Sequence, residues 1–211
     1  MRLDSRAAIY CHEFLHKKYA PNAFPGLQPD EPDPVVEEFK TLGFSHENKA
    51  IEALEAVNPT IIKITQSKNF DQMELDTVKA LLDPKALIIA GGYIANIAEQ
   101  ELAKAFGITF KPTERSSRPD LIIKVGVRSD GRSAWAPVDI KSHKALESSK
   151  SNFIFSSHIS NILPVQESRE EGRLDYNDLH QLAHYTRHFQ ALGIDGDDLW
   201  VGIIGLSLIH I

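Results

Sequence analysis

The sequence is poor in cysteine and has no long apolar run. Its single cysteine, Cys11, cannot form an internal disulfide, which agrees with a reducing compartment. No stretch approaches the roughly 18 apolar residues that cross a bilayer, and the first ten residues, MRLDSRAAIY, lack the apolar core of a signal peptide. We therefore expect a soluble, cytoplasmic protein without a membrane partner.

Common nucleotide-binding motifs are also absent. The 211 residues contain neither G-x-x-x-x-G-K-[ST] nor G-x-G-x-x-G, so nucleotide binding by those two routes is unsupported. The net charge of −6 argues against a generally basic, nucleic-acid-binding surface. Residues 111–150 are nevertheless basic, with nine Lys or Arg and five acidic side chains, a net of +4. This local excess favours a polyanionic partner for that part of the chain.

Residues 118–141, RPDLIIKVGVRSDGRSAWAPVDIK, predict two strands joined by a tight turn. Apolar residues alternate over 121–127, which is the period of a strand, and 134–140 form a second, largely apolar run. Asp130-Gly131 lies between the two runs and is typical of a two-residue type I′ turn. The pattern therefore predicts a β-hairpin with a definite register.

The register brings three charged residues to one face of the hairpin. With a two-residue turn, Asp120 lies opposite Lys141, and Ile122 lies opposite Asp139. Asp120, Asp139 and Lys141 then converge. Pro137 lacks an N–H donor, which indicates an edge or bulged position and is able to shift this register.

Two carboxylates beside a lysine suit metal-dependent phosphodiester chemistry. Mg²⁺ is usually held by one or two carboxylates and keeps water and phosphate in its remaining positions. Asp120 and Asp139 are the predicted ligands, and Lys141 is the cation that orients the nucleophile or neutralises developing charge. The alternative is a surface hairpin with solvated charges, but the Pro-Asp upstream and the register favour a site.

An early predicted helix, 43–57, carries two further candidates. It reads GFSHENKAIEALEAV, with Ser45 as a possible N-cap. His46 and Glu47 lie on opposite shoulders of its apolar stripe, so either side chain can point towards the edge of the core. The structural alternative is that the two residues simply belong to the first turn of a helix capped by Ser45, where an acid is favoured by the helix dipole. Spacing alone does not choose between these interpretations.

A late predicted helix, 179–193, carries a second set. Asp178 can cap this helix, and Gln181 and Tyr185 share a face because they are four residues apart. Three histidines at the same spacing lie on a neighbouring face and suggest either a zinc site or a partly exposed polar face, and the missing glutamate of H-E-x-x-H favours the polar face. They are His180, His184 and His188.

The rest of the chain alternates predicted helices and strands. Residues 145–175 are serine-rich and charged, and their weak periodicity predicts a long loop next to the site. Helices are predicted at 5–19, 71–82 and 97–106, with a further helix opening at Pro34, and strands at 60–66, 86–90 and 199–205.

Four motifs in this order resemble the RecB-type branch of the PD-(D/E)XK nucleases. They are G-x-x-H-E on an early helix, R-P-D, V-D-I-K, and Q-x-x-x-Y on a later helix. The termini YCHEFLHKKY and WVGIIG also resemble those of uncharacterised RecB-family nucleases. The similarity implies an α/β fold with a PD-(D/E)XK, restriction-endonuclease-like core, in which helices flank a central mixed sheet.

The same resemblance implies a domain organisation. Residues 1–35 correspond to an N-terminal helix and a proline-rich connector, and residues 36–205 to the nuclease domain, which we expect to be incomplete at its C-terminus. Residues 206–211, LSLIHI, look like a cloning or adaptor artefact.

The resemblance further implies Mg²⁺- or Mn²⁺-dependent hydrolysis of DNA, single-stranded or at ends, in an exonuclease-like role in repair, recombination or defence. A helicase partner or fused domain would supply any motor, and an iron–sulfur cluster would need cysteines from a missing C-terminus. An inactive nuclease-fold module that binds nucleic acid or a protein is the alternative. The implied metal ligands are His46 or Glu47, Asp120, Asp139 and the carbonyl of Ile140; the implied catalytic residues are Asp120, Asp139, Lys141, Gln181 and Tyr185.

Overall fold

The computed structural model describes residues 34–109, 111, 113–142, 153–156, 168–171 and 175–205. The predicted helix 5–19, most of the connector and residues 206–211 lie outside them. None of the helices described is long and apolar enough to cross a membrane. The elements in chain order are α1 (Pro34–Val57), β1 (Ile61–Lys63), α2 (Phe70–Leu82), β2 (Ile88–Ala90), α3 (Asn96–Phe106), β3 (Leu121–Val127), β4 (Ser133–Ile140), β5 (Phe153–Ser156), β6 (Ser168–Glu171), α4 (Tyr176–Leu192) and β7 (Gly202–Ile204).

A five-stranded mixed sheet forms the centre of the fold. Its strand order is β1-β2-β3-β4-β7, with parallel outer pairs and antiparallel pairing of β3 with β2 and β4. Helix α1 packs on one face through Ala50 and Leu54. Helices α2, α3 and α4 contribute to the core on the other face, for example through Met73, Leu102 and Phe189. The predicted α/β arrangement, a mixed sheet flanked by helices, is confirmed.

Helices α2 and α3 begin and end where local chemistry predicts. The Asn69 side chain accepts a hydrogen bond from the Gln72 N–H and caps α2. Gly107 ends α3 with a φ of 64°, a left-handed conformation that glycine adopts without a Cβ clash. The predictions at 71–82 and 97–106 are confirmed to within one residue, whereas strands β1, β2 and β7 are shorter than predicted.

Helix α1 is continuous, contrary to the two separate helices predicted around Gly43. It runs for 24 residues, beginning with Pro34 in its first turn, where the missing proline N–H is tolerated. Ser45 therefore lies inside the helix and is not its N-cap. Gly43 does not interrupt the helix, because Ala50 and Leu54 beyond it are fully buried against the sheet.

The loop between β3 and β4 is one residue longer than predicted. The Arg128 N–H donates to the Arg132 carbonyl over 2.8 Å, and the Gly131 N–H donates to the Arg128 carbonyl over 2.9 Å. Gly131 has a φ of 84°. The result is a three-residue loop with a left-handed glycine rather than a type I′ turn.

A β-bulge between Lys124 and Gly126 shifts the pairing once more, so that Ile122 pairs with Pro137 instead of Asp139. The predicted register is thus wrong by two residues. Continued by one residue beyond the last pair, Leu121 with Val138, the observed register places Asp120 opposite Asp139. The two carboxylate residues are therefore direct neighbours across the strands, not diagonal ones.

Pro137 lies in β4, a central strand of the sheet, but on the side to which an N–H would point it has no strand partner, so this position is locally an edge, as predicted. Trp135 and Lys141 donate their N–H groups to Ile194 and Ile204. Because N–H directions alternate along a strand, an N–H at position 137 would point to the same side as those of Trp135 and Lys141. Pairing with β7 begins only at Val138, so no donor is needed there.

Within the loop predicted at 145–175, the structure describes two paired strands. Phe153 pairs with Glu171, and Ser156 pairs with Ser168, in an antiparallel ladder separate from the main sheet. This part of the prediction is wrong, because a segment of four residues, whether apolar like Phe153–Ser156 or charged like Ser168–Glu171, is too short to give a clear periodic signal.

We expect Gly91→Ala to lower the free energy of unfolding by about 1–3 kcal/mol. Gly91 has a φ of 71°, which is strained for any residue with a Cβ, and an added Cβ would also displace the side-chain amide of Gln66. As a control, Gly43→Ala should raise stability by about 0.5–1 kcal/mol, because position 43 is helical with open space around it. Urea denaturation of both variants measures the difference, and a Gly91→Ala protein as stable as the parent would contradict the argument.

Candidate active site

Asp120, Asp139 and Lys141 all project from the face of the sheet that α4 covers. Val138 and Ile140 belong to the core beneath α1, so the residues between and after them point the other way. Asp120 and Ile122 are two residues apart and therefore lie on the same face of the sheet. The Ile122 side chain belongs to the core on the α4 side. The site therefore lies between the ends of β3 and β4 and the first turns of α4.

Lys141, the residue that follows β4, contacts α4 directly. Its Nζ donates to Gln181 Oε1 over 2.8 Å, and it lies 3.3 Å from Asp139 Oδ2 and 3.4 Å from Asp178 Oδ1. Burial lowers the pKa of this ammonium, but the charges of Asp139 and Asp178 outweigh burial, so the pKa of Lys141 is raised above its ordinary value. Lys141 is thus a positively charged group held between acids.

Asp139 is almost fully buried, at 1% exposure, and neither carboxylate oxygen makes a hydrogen bond of ordinary geometry. Burial raises the pKa of Asp139, while the Lys141 ammonium and the Asp120 backbone oppose the rise. Buried polar atoms normally have hydrogen-bond partners, so oxygens without one mark a place where a ligand or water is expected. The single lysine does not satisfy this carboxylate.

Asp120 lies beside Asp139 and faces the backbone of β4. Its Oδ2 accepts a 2.7 Å hydrogen bond from the Ile140 N–H. Burial and then the negative charges of Asp139 and Glu47 raise the pKa of Asp120 to about 8. In a strand the N–H and C=O of one residue point to the same edge, so the Ile140 carbonyl also faces Asp120.

Helix α1 brings His46 and Glu47 to the site in different ways. The charge of Asp139 helps raise the pKa of Glu47, after burial and against Arg118, so Glu47 acts electrostatically with the acids. His46 is buried and lies by the Lys141 backbone, and its Nε2 has no hydrogen-bond partner. Burial lowers the pKa of His46, which keeps the imidazole neutral and its lone pair available.

Helix α4 supplies Gln181 and Tyr185 to the site. It also supplies Asp178, which the sequence predicted to be the N-cap of this helix. Asp175, not Asp178, is the N-cap, since its side chain accepts from the Asn177 N–H. Asp178 is instead buried in the first turn and faces Lys141. A second Asp three residues before it was the available signal, because one helix has one N-cap.

Tyr185 is nearly inaccessible, at 2% exposure, and connects Gln181 to the chain that precedes Asp120. The Gln181 Nε2 donates to its hydroxyl over 3.0 Å, and the hydroxyl donates to the Arg118 carbonyl over 3.1 Å. Gln181 therefore contacts Lys141 directly, whereas Tyr185 acts on the backbone.

Among the described residues of the basic stretch, which stop at Ser142, only some reach the site. Arg118 is exposed and acts on Glu47, but Arg128 pairs with Asp195 at the loop end of the hairpin. Arg132 pairs with Asp130 in the same loop. The local net charge thus overstates the positive charge around the acids, because the two ends of the hairpin have separate ionic partners.

The residues present fit a divalent cation as a two-carboxylate site. Over the ranges that the structure describes, no three His, Cys, Asp or Glu side chains come together closely enough to hold a metal ion. Mg²⁺, however, commonly uses one or two carboxylates and completes its shell with water and phosphate. Asp120 and Asp139 have that chemistry, and the oxygens of Asp139 lack other hydrogen bonds.

The histidines of α4 do not form the predicted zinc site within this described region. His180 Nδ1 lies 2.9 Å from the Tyr176 carbonyl in the preceding turn. His184 and His188 contact different residues of a segment beside α3. Two histidines one turn apart can share a zinc ion, but three on successive turns of a helix rarely converge on one tetrahedral ion, and here each ring contacts a different group.

Comparison with known proteins does not identify a relative. No family model matches the chain. A search of curated proteins finds no match, and a search of solved structures finds none either. The function must therefore be argued from the geometry of the acids, the lysine and the helices around them.

Proposed function

We propose that this protein is a metal-dependent nuclease that hydrolyses phosphodiester bonds of DNA. The observation that carries the proposal is Asp139, a buried carboxylate whose oxygens make no hydrogen bond of ordinary geometry, beside a second carboxylate and a lysine 3.3 Å away. An acid cluster of this kind is costly in a folded protein unless a cation completes it. The resemblance of the motifs to RecB-type PD-(D/E)XK nucleases supports the same reaction.

Each residue then has a distinct task. When bound, a divalent cation supplies an electrophile for the phosphoryl group and an acidified water. Asp120 and Asp139 would hold that cation. Lys141 would orient the attacking water or neutralise charge on the phosphate, and Gln181 would keep its ammonium in place.

We propose that His46, rather than Glu47, is the metal ligand supplied by α1. Its side chain would approach the two carboxylates when the metal binds. A buried imidazole nitrogen without a partner needs one, whereas Glu47 has Arg118 nearby. We expect His46→Ala to weaken Mn²⁺ binding about tenfold or more, and Glu47→Gln to weaken it less than about threefold. Isothermal titration calorimetry of both variants measures this, and the reverse order would assign Glu47.

The test of the function is cleavage of end-labelled DNA. We expect degradation of single-stranded or open-ended DNA in Mg²⁺ or Mn²⁺, and none in EDTA. Asp139→Ala and Lys141→Ala should both remove it. Activity that survives both substitutions would refute the proposal.

A second candidate function is a nuclease-fold module that binds without cutting. The lack of a ready three-ligand cluster among the described residues favours it. It predicts salt-sensitive DNA binding with a linear dependence of log K on log salt concentration. Cleavage by the wild type, absent from both variants, would decide against it.

A further inference from the structure

His184 of α4 is bonded to residues 115 and 116, a few positions before Asp120. Its Nε2 lies 2.9 Å from the Ser116 carbonyl, and its Nδ1 lies 3.1 Å from Arg115 Nη1. A carbonyl only accepts and a guanidinium only donates, so Nε2 carries the proton and Nδ1 accepts. A neutral imidazole therefore satisfies both contacts at once.

His188, one turn later, holds the next residue. Its Nδ1 lies 2.8 Å from Ser117 Oγ, and its Nε2 lies 3.1 Å from Glu99 Oε1. The order Ser-His-Glu is that of a hydrolase triad, but Ser117 and His188 are both 0% exposed. No substrate reaches Ser117, so its hydroxyl does not act as a nucleophile. Its hydrogen bond to His188 instead holds the segment in place, and we call such a contact a tether.

Tethers from other elements bind almost every backbone carbonyl from Ser116 to Asp120. The Ser117 carbonyl accepts from the Ile94 N–H over 2.9 Å, and the Asp120 carbonyl accepts from the Gly91 N–H over 2.8 Å. With the bonds from His184 to Ser116 and from Tyr185 to Arg118, four carbonyls in five residues are fixed by other elements. The position of Asp120 is thus set by partners and not by its own strand alone.

Helix α4 also fixes the opposite half of the site. Gln181 and Asp178 hold Lys141, while His184 and His188 hold the segment before Asp120. Helix α4 therefore determines the distance between Asp120, just before β3, and Asp139 and Lys141 at the end of β4. Misplacing a reacting group by about 1 Å can reduce a rate a hundredfold.

We propose that His184 and His188 are positioning residues that fix Asp120 relative to Asp139 and Lys141. This inference rests on the proposed nuclease function. It states that two of the three α4 histidines set the distance between the two carboxylates that would bind the metal. His180 has no such role, because it bonds to its own helix.

The test compares four variants of the full chain. We expect His184→Ala and Ser117→Ala to weaken Mn²⁺ binding about tenfold to a hundredfold and to lower kcat similarly, with KM for DNA changed less than about threefold. His184→Gln should recover most of the loss, because its amide can still donate to Ser116. The matched control on the same helix, His180→Gln, should leave Kd and kcat unchanged.

Calorimetry gives Kd for Mn²⁺, steady-state cleavage separates kcat from KM, and circular dichroism reports folding. If His184→Ala does not fold, Ser117→Ala decides the question. An active wild type, with folded His184→Ala or Ser117→Ala of equal Kd and kcat, overturns the positioning role alone, even if the Tm of the variant falls. A wild type that neither binds Mn²⁺ nor cleaves DNA overturns the nuclease proposal and this inference with it.

Discussion

Asp139→Asn should reduce metal-dependent cleavage at least about a thousandfold, roughly 4 kcal/mol of transition-state stabilisation. The substitution preserves shape but removes the charge from a buried carboxylate that lies 3.3 Å from Lys141 Nζ and makes no hydrogen bond of ordinary geometry. Without a cation, that charge is unfavourable in the folded state, and Lys141 keeps Asp178 and Gln181 as partners. In EDTA we therefore expect the variant to be more stable than the wild type, by about 1 kcal/mol.

Cleavage assays and thermal unfolding in EDTA measure the two effects. Asp76→Asn is the matched control, because it makes the same chemical change in α2, where Asp76 pairs with Lys79 on the surface. That control should alter neither quantity appreciably. Loss of both activity and stability in Asp139→Asn would indicate a structural carboxylate and would contradict the assignment.

Lys141→Met should lower cleavage about a hundredfold to ten-thousandfold and, unlike Asp139→Asn, should destabilise the metal-free protein by about 2–4 kcal/mol. Methionine preserves the apolar stem but leaves Asp139 and Asp178 without the ammonium between them. The excess of negative charge should leave divalent-cation affinity unchanged or tighter. A metal ligand would show the opposite change in affinity.

Turnover, urea denaturation in EDTA and Mn²⁺ titration test these three expectations. Lys79→Met serves as control, since Lys79 makes an exposed ion pair that contributes at most about 1 kcal/mol. If Lys141→Met bound Mn²⁺ ten times more weakly, Lys141 would be organising the ligands and not acting on the phosphate.

The sequence was informative where local chemistry decides the structure. Asn69 and Gly107 are recognisable helix caps, so α2 and α3 could be predicted nearly to the residue. Gly43 misled the prediction of α1, since its cost of about 1 kcal/mol is small beside the burial of Leu54 on the sheet.

The candidate site was only partly predictable. Asp120, Asp139 and Lys141 do lie together, although the predicted register was wrong. The three-residue loop depends on a backbone bond between Arg128 and Arg132, and the bulge depends on packing across the sheet. Neither leaves a mark in the period-2 pattern.

Tertiary partners explain the rest of what was missed. Asp178 looks like a helix cap in isolation, and only the approach of β4 shows that it faces Lys141. His184 and His188 look like metal ligands until the segment beside α3 is seen against them. Spacing along a helix indicates which side chains share a face, but not what that face meets.

The tethers of α4 have a consequence for how the chain folds. Lys141 and Gln181 are 40 residues apart, and Glu99 and His188 are 89 apart. Closing such long segments of chain has an entropic cost before any contact forms, so these contacts are expected late in folding. The acids repel one another and cannot drive that step. Within the centre only the contacts of Lys141 with the acids and with Gln181 are favourable, so apolar burial and the histidine tethers must provide most of the free energy that assembles it.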